Sequence, residues 1–161
     1  MKTLITLLFI SACTSLTASA KWAPLPLKSL VEHSDCIVVA EFVSEETHST
    51  SPEDRTQSAN LKVTSILKGE APENVTVHGH VNTIICEPQY VFPSTKGTKY
   101  LLFLRADNNH YTVLNGTFGA LPISDNKVTW FTDETKMENI AQRKPTDLET
   151  AITAIKRAIT P

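Results

Sequence analysis

Two stretches of the chain alternate between apolar and polar residues, the pattern of β-strands that bury one face. The first covers residues 61–68 and is stopped by a turn at Gly69. The second covers residues 75–81, and its odd-numbered positions are expected to face the core. Gly79 interrupts that odd series, which predicts a bulge or bend in this strand.

Two other stretches are apolar at almost every position, which is typical of strands in the centre of a sheet. Residues 36–43 predict the first strand, and residues 100–104 predict a strand that is covered on both faces. Between the first strand and the one that begins at Leu61, residues 44–60 are polar and contain Pro52. We expect this segment to be a mobile connection between two strands.

Turn-forming residues divide the next part of the chain into short strands. A cluster at residues 107–110 predicts a hairpin between the strand at 100–104 and a partner at 111–114. Asn115-Gly116 and Asp125-Asn126 predict two more turns, beside short strands at 118–123 and 127–131.

Helical spacing occurs near both ends of the chain. A short amphipathic helix is expected from Leu27 to His33, and residues 135–142 are weakly helical. Thr146 and Glu149 match a capping box at the start of a C-terminal amphipathic helix. We therefore expect a barrel over about residues 35–131 and a helical tail over 135–160. The apolar stripe of the last helix consists of Leu148, Ala151, Ile152, Ile155, Ala158 and Ile159.

The first 20 residues have the features of a secretory signal peptide. Lys2 precedes an apolar run that is too short to span a bilayer, and Ala18-Ser19-Ala20 supplies small residues for cleavage. Cleavage after Ala20 would release residues 21–161 as one secreted or periplasmic domain. Ile10-Ser11-Ala12-Cys13 also resembles a lipobox, in which Cys13 would be lipidated and would anchor the chain in the cell envelope.

Charge excludes some partner classes. One of the 15 basic residues and none of the 17 acidic ones lie in the leader, so 14 basic residues face 17 acidic ones in the mature chain, a net charge of −3. This mild acidic excess offers no basic surface for nucleic acid. The mature sequence also contains no further apolar run long enough to cross a membrane.

Two of the three cysteines, Cys36 and Cys86, would remain in the mature chain in an oxidising compartment. A disulfide between them is expected, because two cysteines in a secreted chain permit one intramolecular pair. The alternative is a buried free thiol at Cys36 and an unrelated loop thiol at Cys86.

The histidines are the candidate metal ligands. His78 and His80 are two residues apart in a predicted strand, so both project from one face and could bind zinc or copper together with His48 or His110. Exposed polar positions on a strand explain the same histidines without a metal. The sequence has no nucleophile elbow, zinc-protease helix or phosphate loop, so no catalytic residue and no cofactor are predicted.

The order of these patterns resembles a known family. The chain combines a short helix, Ser34-Asp35-Cys36 leading into an apolar strand, a second strand ending in Lys68-Gly69, and Gly97 followed by Tyr100-Leu101-Leu102-Phe103. Over residues 27–131 it resembles bacterial secreted netrin-like domains, which are related in architecture to tissue inhibitors of metalloproteinases. In that family the loop before the last pattern often carries a cysteine, the place that Cys86 occupies here.

The resemblance implies a five-stranded OB-type barrel that binds through its surface. The inhibitors use an N-terminal cysteine to chelate the zinc of a protease, but here that place holds Lys21-Trp22-Ala23-Pro24. Zinc chelation is therefore not expected, and Lys21 and Trp22 become candidate contacts with a protein partner. We expect a non-enzymatic binding module whose partner is a protein, with a protease as one candidate; a structural lipoprotein held through Cys13 is the alternative.

Overall fold

The computed structural model describes residues 25–51, 54–82, 90, 92–93, 95–131 and 143–160. No helix among these residues is both long enough and apolar enough to cross a bilayer. In the described part of the chain the elements are α1 (Leu27–His33), β1 (Cys36–Ser51), β2 (Asp54–Lys68), β3 (Asn74–Asn82), β4 (Lys99–Asp107), β5 (His110–Val113), a 3-10 turn (Gly116–Phe118), β6 (Ala120–Ser124), β7 (Lys127–Phe131), β8 (Arg143–Asp147) and α2 (Leu148–Ile159).

Five of these strands close into a barrel. They follow the order β1-β2-β3-β5-β4, and β4 pairs back onto β1. Neighbouring strands are antiparallel except β3 and β5, which run parallel. This arrangement is an OB-type barrel. The predicted fold class, a mainly β barrel of OB type with a short helix before it and an amphipathic helix after it, is confirmed.

Side chains from all five barrel strands fill the interior. Phe92, from the segment before β4, is completely buried and packs edge-on against Tyr100, with ring centroids 5.2 Å apart. Phe42 and Tyr90 lie against the other sides of Phe92, at centroid distances of 6.2 and 4.8 Å. The barrel is therefore a packed core, and ligands are left to its outer surface.

The two helices cover the outside of the barrel at β1 and β4. Leu30 on α1 and Ile155 on α2 are buried in one cluster with the outward-facing Ile37 and Phe103. Because β4 is buried by the barrel interior on one face and by this cluster on the other, its five residues 100–104 are all buried. The sequence prediction that this strand is covered on both faces is confirmed.

Lys68-Gly69 fixes the end of β2 against the end of α1. The Lys68 ammonium donates to the carbonyl oxygens of Val31 and Ser34 at 2.5 and 2.6 Å, and so satisfies groups at the helix C-terminus. Gly69 has φ of +70°, and a Cβ there would lie 2.2 Å from the carbonyl oxygen of Asp35. Both residues of this motif therefore have a structural role.

The predicted mobile connection at residues 44–60 is wrong. β1 continues to Ser51 and β2 begins at Asp54, so most of the segment is strand. The two strands pair from Ser44 with Asn60 to Ser51 with Asp54. A long ladder satisfies the backbone groups of these polar residues, and their side chains need no burial on the outer face.

The predicted bulge at Gly79 is also wrong, because β3 pairs with β2 from Asn74 to Asn82 without a shift in register. The irregularities lie in the β1–β2 ladder instead. One of them is between Phe42 and Ser44, and it leaves Val43 without a partner and 39% exposed.

The C-terminal part differs from the prediction in two ways. Residues 143–147, within the expected helical tail, form β8, which pairs with β7. The N-cap of α2 is Asp147 rather than Thr146, and the Thr146 hydroxyl donates to the carbonyl of Lys144, so the capping box is wrong. The predicted helix itself is confirmed, with Ala151 and Ile155 buried. The weak helix predicted at 135–142 lies outside the described residues.

Both predicted turns between the short strands are confirmed. Asn115 and Gly116 have positive φ angles of 61° and 57°, and Asp125 and Asn126 have φ angles of 50° and 58°. Asparagine, aspartate and glycine tolerate this left-handed conformation best. The second turn joins β6 to β7 as a two-residue hairpin.

Candidate binding face

Nine polar side chains stand in three rows on the outer face of β1, β2 and β3, and we call this surface the polar face. Each row crosses the three strands, because neither the β1–β2 ladder between Ser44 and Ser49 nor the β2–β3 ladder contains a shift in register. The rows are Ser44, Asn60 and Thr76; Glu46, Ser58 and His78; and His48, Thr56 and His80.

The alternation of side chains along the strands produces this separation of polar and apolar faces. Ala59 and Val77, opposite one another on β2 and β3, point into the barrel and are completely buried. In the first row, Thr76 donates from its hydroxyl to Asn60 Oδ1 at 3.1 Å, and Asn60 Nδ2 lies 3.4 Å from Ser44 Oγ. The polar face is thus hydrogen-bonded across the strands.

Gln57 supports the polar face from behind. It is 2% exposed, and its side-chain amide binds the backbone of Phe92 twice, accepting from the N–H at 2.6 Å and donating to the carbonyl at 2.8 Å. The Gln57 amide also donates to the Glu45 carboxylate. These bonds tie the segment that carries Phe92 to the inner side of the sheet.

The sequence prediction that His78 and His80 share a face agrees with their positions on β3, two residues apart in an unshifted ladder. His48 lies in the same row as His80, and His110 on β5 contacts His78. Among the described residues, no group of three or more His, Cys, Asp or Glu side chains is placed to hold one metal ion. Metal binding through His78 and His80 therefore stays a prediction.

His78 and His110 form a stacked pair at the edge of the polar face. Their ring centroids are 3.7 Å apart and the ring planes differ by 19°. His110 Nε2 lies 3.2 Å from Asp107 Oδ2. Burial lowers the pKa of His78, the neighbouring His110 lowers it further, and Asp107 opposes the change. The lowered pKa favours the uncharged form of the His78 ring in the stacked pair near neutral pH.

Cys36 lies inside the barrel, 1% exposed, and forms no disulfide with another described residue. Burial, and secondarily the charge of Asp35, raises the pKa of this thiol to about 11, so it is not a reactive nucleophile. Cys86 lies outside the described residues, and its pairing with Cys36 stays a prediction. The candidate contacts Lys21 and Trp22 and the candidate lipidation site Cys13 also lie outside them.

Of the nine residues of the polar face, β1 and β2 contribute six, and sequence reasoning singled out only His48 among them, as a candidate ligand; it missed the other five. The signal that could have found them is the period of two at Gln57, Ala59 and Leu61, which continues the strand pattern backwards from Leu61. The composition of the segment, rich in Ser, Thr and Glu, is what favoured a loop.

The chemistry of the polar face suits recognition. It offers four hydroxyls, three imidazoles, one amide and one carboxylate, and the carboxylate, Glu46, is exposed. The face contains neither the aromatic rings nor the row of cations on which single-stranded nucleic acid binds to OB barrels. Comparisons with known proteins add no identification: no protein-family model matches the chain, and no curated protein matches it.

Proposed function

We propose that this chain is a secreted or periplasmic, non-enzymatic protein-binding module of the netrin-like type, and that the polar face is its contact surface. The observation that carries this proposal is the set of three in-register polar rows on strands β1 to β3 of an OB-type barrel. OB barrels bind their ligands on the face of strands 2 and 3.

The rest of the barrel supports this choice of surface. Its interior is filled, and the helices α1 and α2 cover the outer face of β4 and, at Ile37 and Val39, the outer face of the first half of β1. A hydrogen-bonded polar sheet presents many donors and acceptors side by side, which suits the polar surface of another protein better than a small molecule. A secreted protease is one candidate partner.

The test is affinity capture by residues 21–161 from cell-envelope extract and culture medium, followed by chemical cross-linking. In Ser58→Arg a long cation stands in the central row of the polar face, between Glu46 and His78. We expect this variant to capture at least about 90% less of a saturable partner, because the contacts that contribute most to binding cluster near the centre of an interface.

Ser124→Arg is the matched control, since Ser124 is an exposed serine on β6, away from the polar face. The control should bind as the parent does. If the two variants bind equally, or if cross-links fall on β6 and β7 rather than on β1 to β3, the polar face is not the contact surface. A protease partner would also be slowed by the parent chain and not by Ser58→Arg.

A further inference from the structure

The barrel has one weak seam. β3 and β5 close it through a parallel ladder in which only Val77 pairs with Tyr111 and His78 with Thr112. The other ladders of the barrel are longer. The β1–β4 ladder, for example, runs from Cys36 to Glu41. Since each ladder resists opening through its backbone hydrogen bonds and side-chain packing, we expect the barrel to open most easily between β3 and β5.

The stacked histidines bridge this seam. His78 belongs to β3 and His110 to β5, and their rings lie face to face at 3.7 Å. Two neutral imidazoles attract one another in this geometry, whereas two imidazolium rings at that distance repel. We propose that the His78–His110 pair is a proton-operated latch, which holds the β3–β5 seam closed at neutral pH and loosens it in mildly acidic surroundings.

The charged side chains nearest to the pair come from β4. Asp107 on β4 lies beside His110 and forms an ion pair with it once that ring is protonated. Arg105, also on β4, pairs with Thr112, the neighbour of His78 on β5. On the other side, β2 places the uncharged Ser58 beside His78, and Glu46 is one strand further away. The remaining titratable neighbour on the strand is His80.

The direction of the pH effect follows from His78. Its pKa is lowered in the closed barrel, so the closed form binds fewer protons than an open form in which His78 titrates at an ordinary value of about 6.5. Opening therefore becomes easier as the pH falls below about 6.5, and the effect grows until the lowered pKa of His78 is reached. Above about pH 7, His78 contributes no pH dependence to the opening of the seam.

The first test follows the histidine rings of residues 21–161 by NMR titration. We expect His78 to titrate below about 6.5, and its midpoint to rise when the stack is removed in His110→Asn. His48→Asn is the control, because His48 is exposed on the same face but is two strands away from His78. An unchanged His78 midpoint in His110→Asn would overturn the proposal.

The second test measures hydrogen exchange at pH 7 and pH 5, corrected for the intrinsic pH dependence of exchange. Amides of residues 77–79 and 111–113 should open more often at pH 5, by up to about tenfold for each unit by which the pKa of His78 is depressed. Amides of residues 38–40, in the β1–β4 ladder, should not change. The proposal fails if the seam opens equally at both pH values, or if its pH dependence survives in His78→Asn.

One consequence rests on the proposed function. Because His78 stands in the central row of the polar face, loosening the seam should weaken partner binding between pH 7.5 and pH 5.5. The two ideas fail separately. Capture at pH 7.5 tests the binding face without the latch, and the titration and exchange measurements test the latch without a partner.

Discussion

The two halves of β1 differ in almost every respect, although they form one continuous strand. The first half, residues 36–42, pairs with β2 from Ile37 onwards and with β4 up to Glu41. Its side chains are buried on both faces except at Glu41. Residues 44–51 pair with β2 alone among the described strands, and Ser44, Glu46 and His48 stand on the exposed polar face. Val43 is the unpaired residue between the halves.

The difference shows how one strand can serve two purposes. The first half is stabilised by packing on both faces, whereas the second half depends on its ladder and on the buried Gln57–Phe92 contact. The bulge at Val43 lets the strand change its environment, because an extra residue bends the strand and separates the two registers. Substitutions in the two halves should therefore have very different costs.

The largest effect is expected for Phe42→Ala at the end of the buried half. Phe42 is 2% exposed and contacts Phe92, so its removal leaves a cavity and should lower the free energy of unfolding by about 3–5 kcal/mol. Urea unfolding measures the loss. Thr47→Ala, on the exposed half of the same strand, should change the free energy by less than about 0.5 kcal/mol. Similar costs for the two variants would contradict the contrast between the halves.

An intermediate effect is expected for Gly69→Ala. This change disturbs the close approach of Gly69 to Asp35, the residue directly before the buried half of β1. The new Cβ would meet Asp35 at 2.2 Å in a backbone with positive φ, so we expect a loss of about 3 kcal/mol. Thermal unfolding would report it. Gly97→Ala is a matched control with φ of +86° and nothing within 4 Å, and should lose only about 1–2 kcal/mol. Equal losses would mean that the close approach to Asp35 is unimportant.

The smallest effect is expected for Gln57→Ala, which weakens the support of the exposed half. The backbone N–H and carbonyl of Phe92 would lose their side-chain partner, at a cost of about 1–3 kcal/mol. Faster chymotryptic cleavage after Tyr90 should accompany the loss. Ser58→Ala, next to Gln57 but facing outwards, should leave both measurements unchanged. If cleavage is unaffected in Gln57→Ala, the contact does not hold this segment.

Much of the fold could be predicted from the sequence. Apolar periodicity placed β3, β4 and the buried parts of β1 and β2 correctly, because a strand that is buried on one or both faces needs apolar residues at its buried positions. β8 could not be found in this way, since Arg143 to Asp147 contains no apolar residue and includes Pro145, and its strand conformation depends on pairing with β7. The exposed half of β1 was missed for the same reason.

The candidate site could be predicted only in part. The spacing of His78 and His80 was enough to place both on one face of a strand. Their relation to His48 and His110 was not, because it depends on the β1–β2 register and on the closure of β3 onto β5.

The sequence by itself determined which segments are buried strands, where the turns with positive φ occur and which face of the last helix packs, since each of these depends on residues that are close in the chain. The tertiary structure alone decided the rest. Barrel closure stacks His78 on His110, and the long β1–β2 ladder aligns the polar rows. These contacts join residues that are distant in sequence, and the residue types alone do not show which positions will meet.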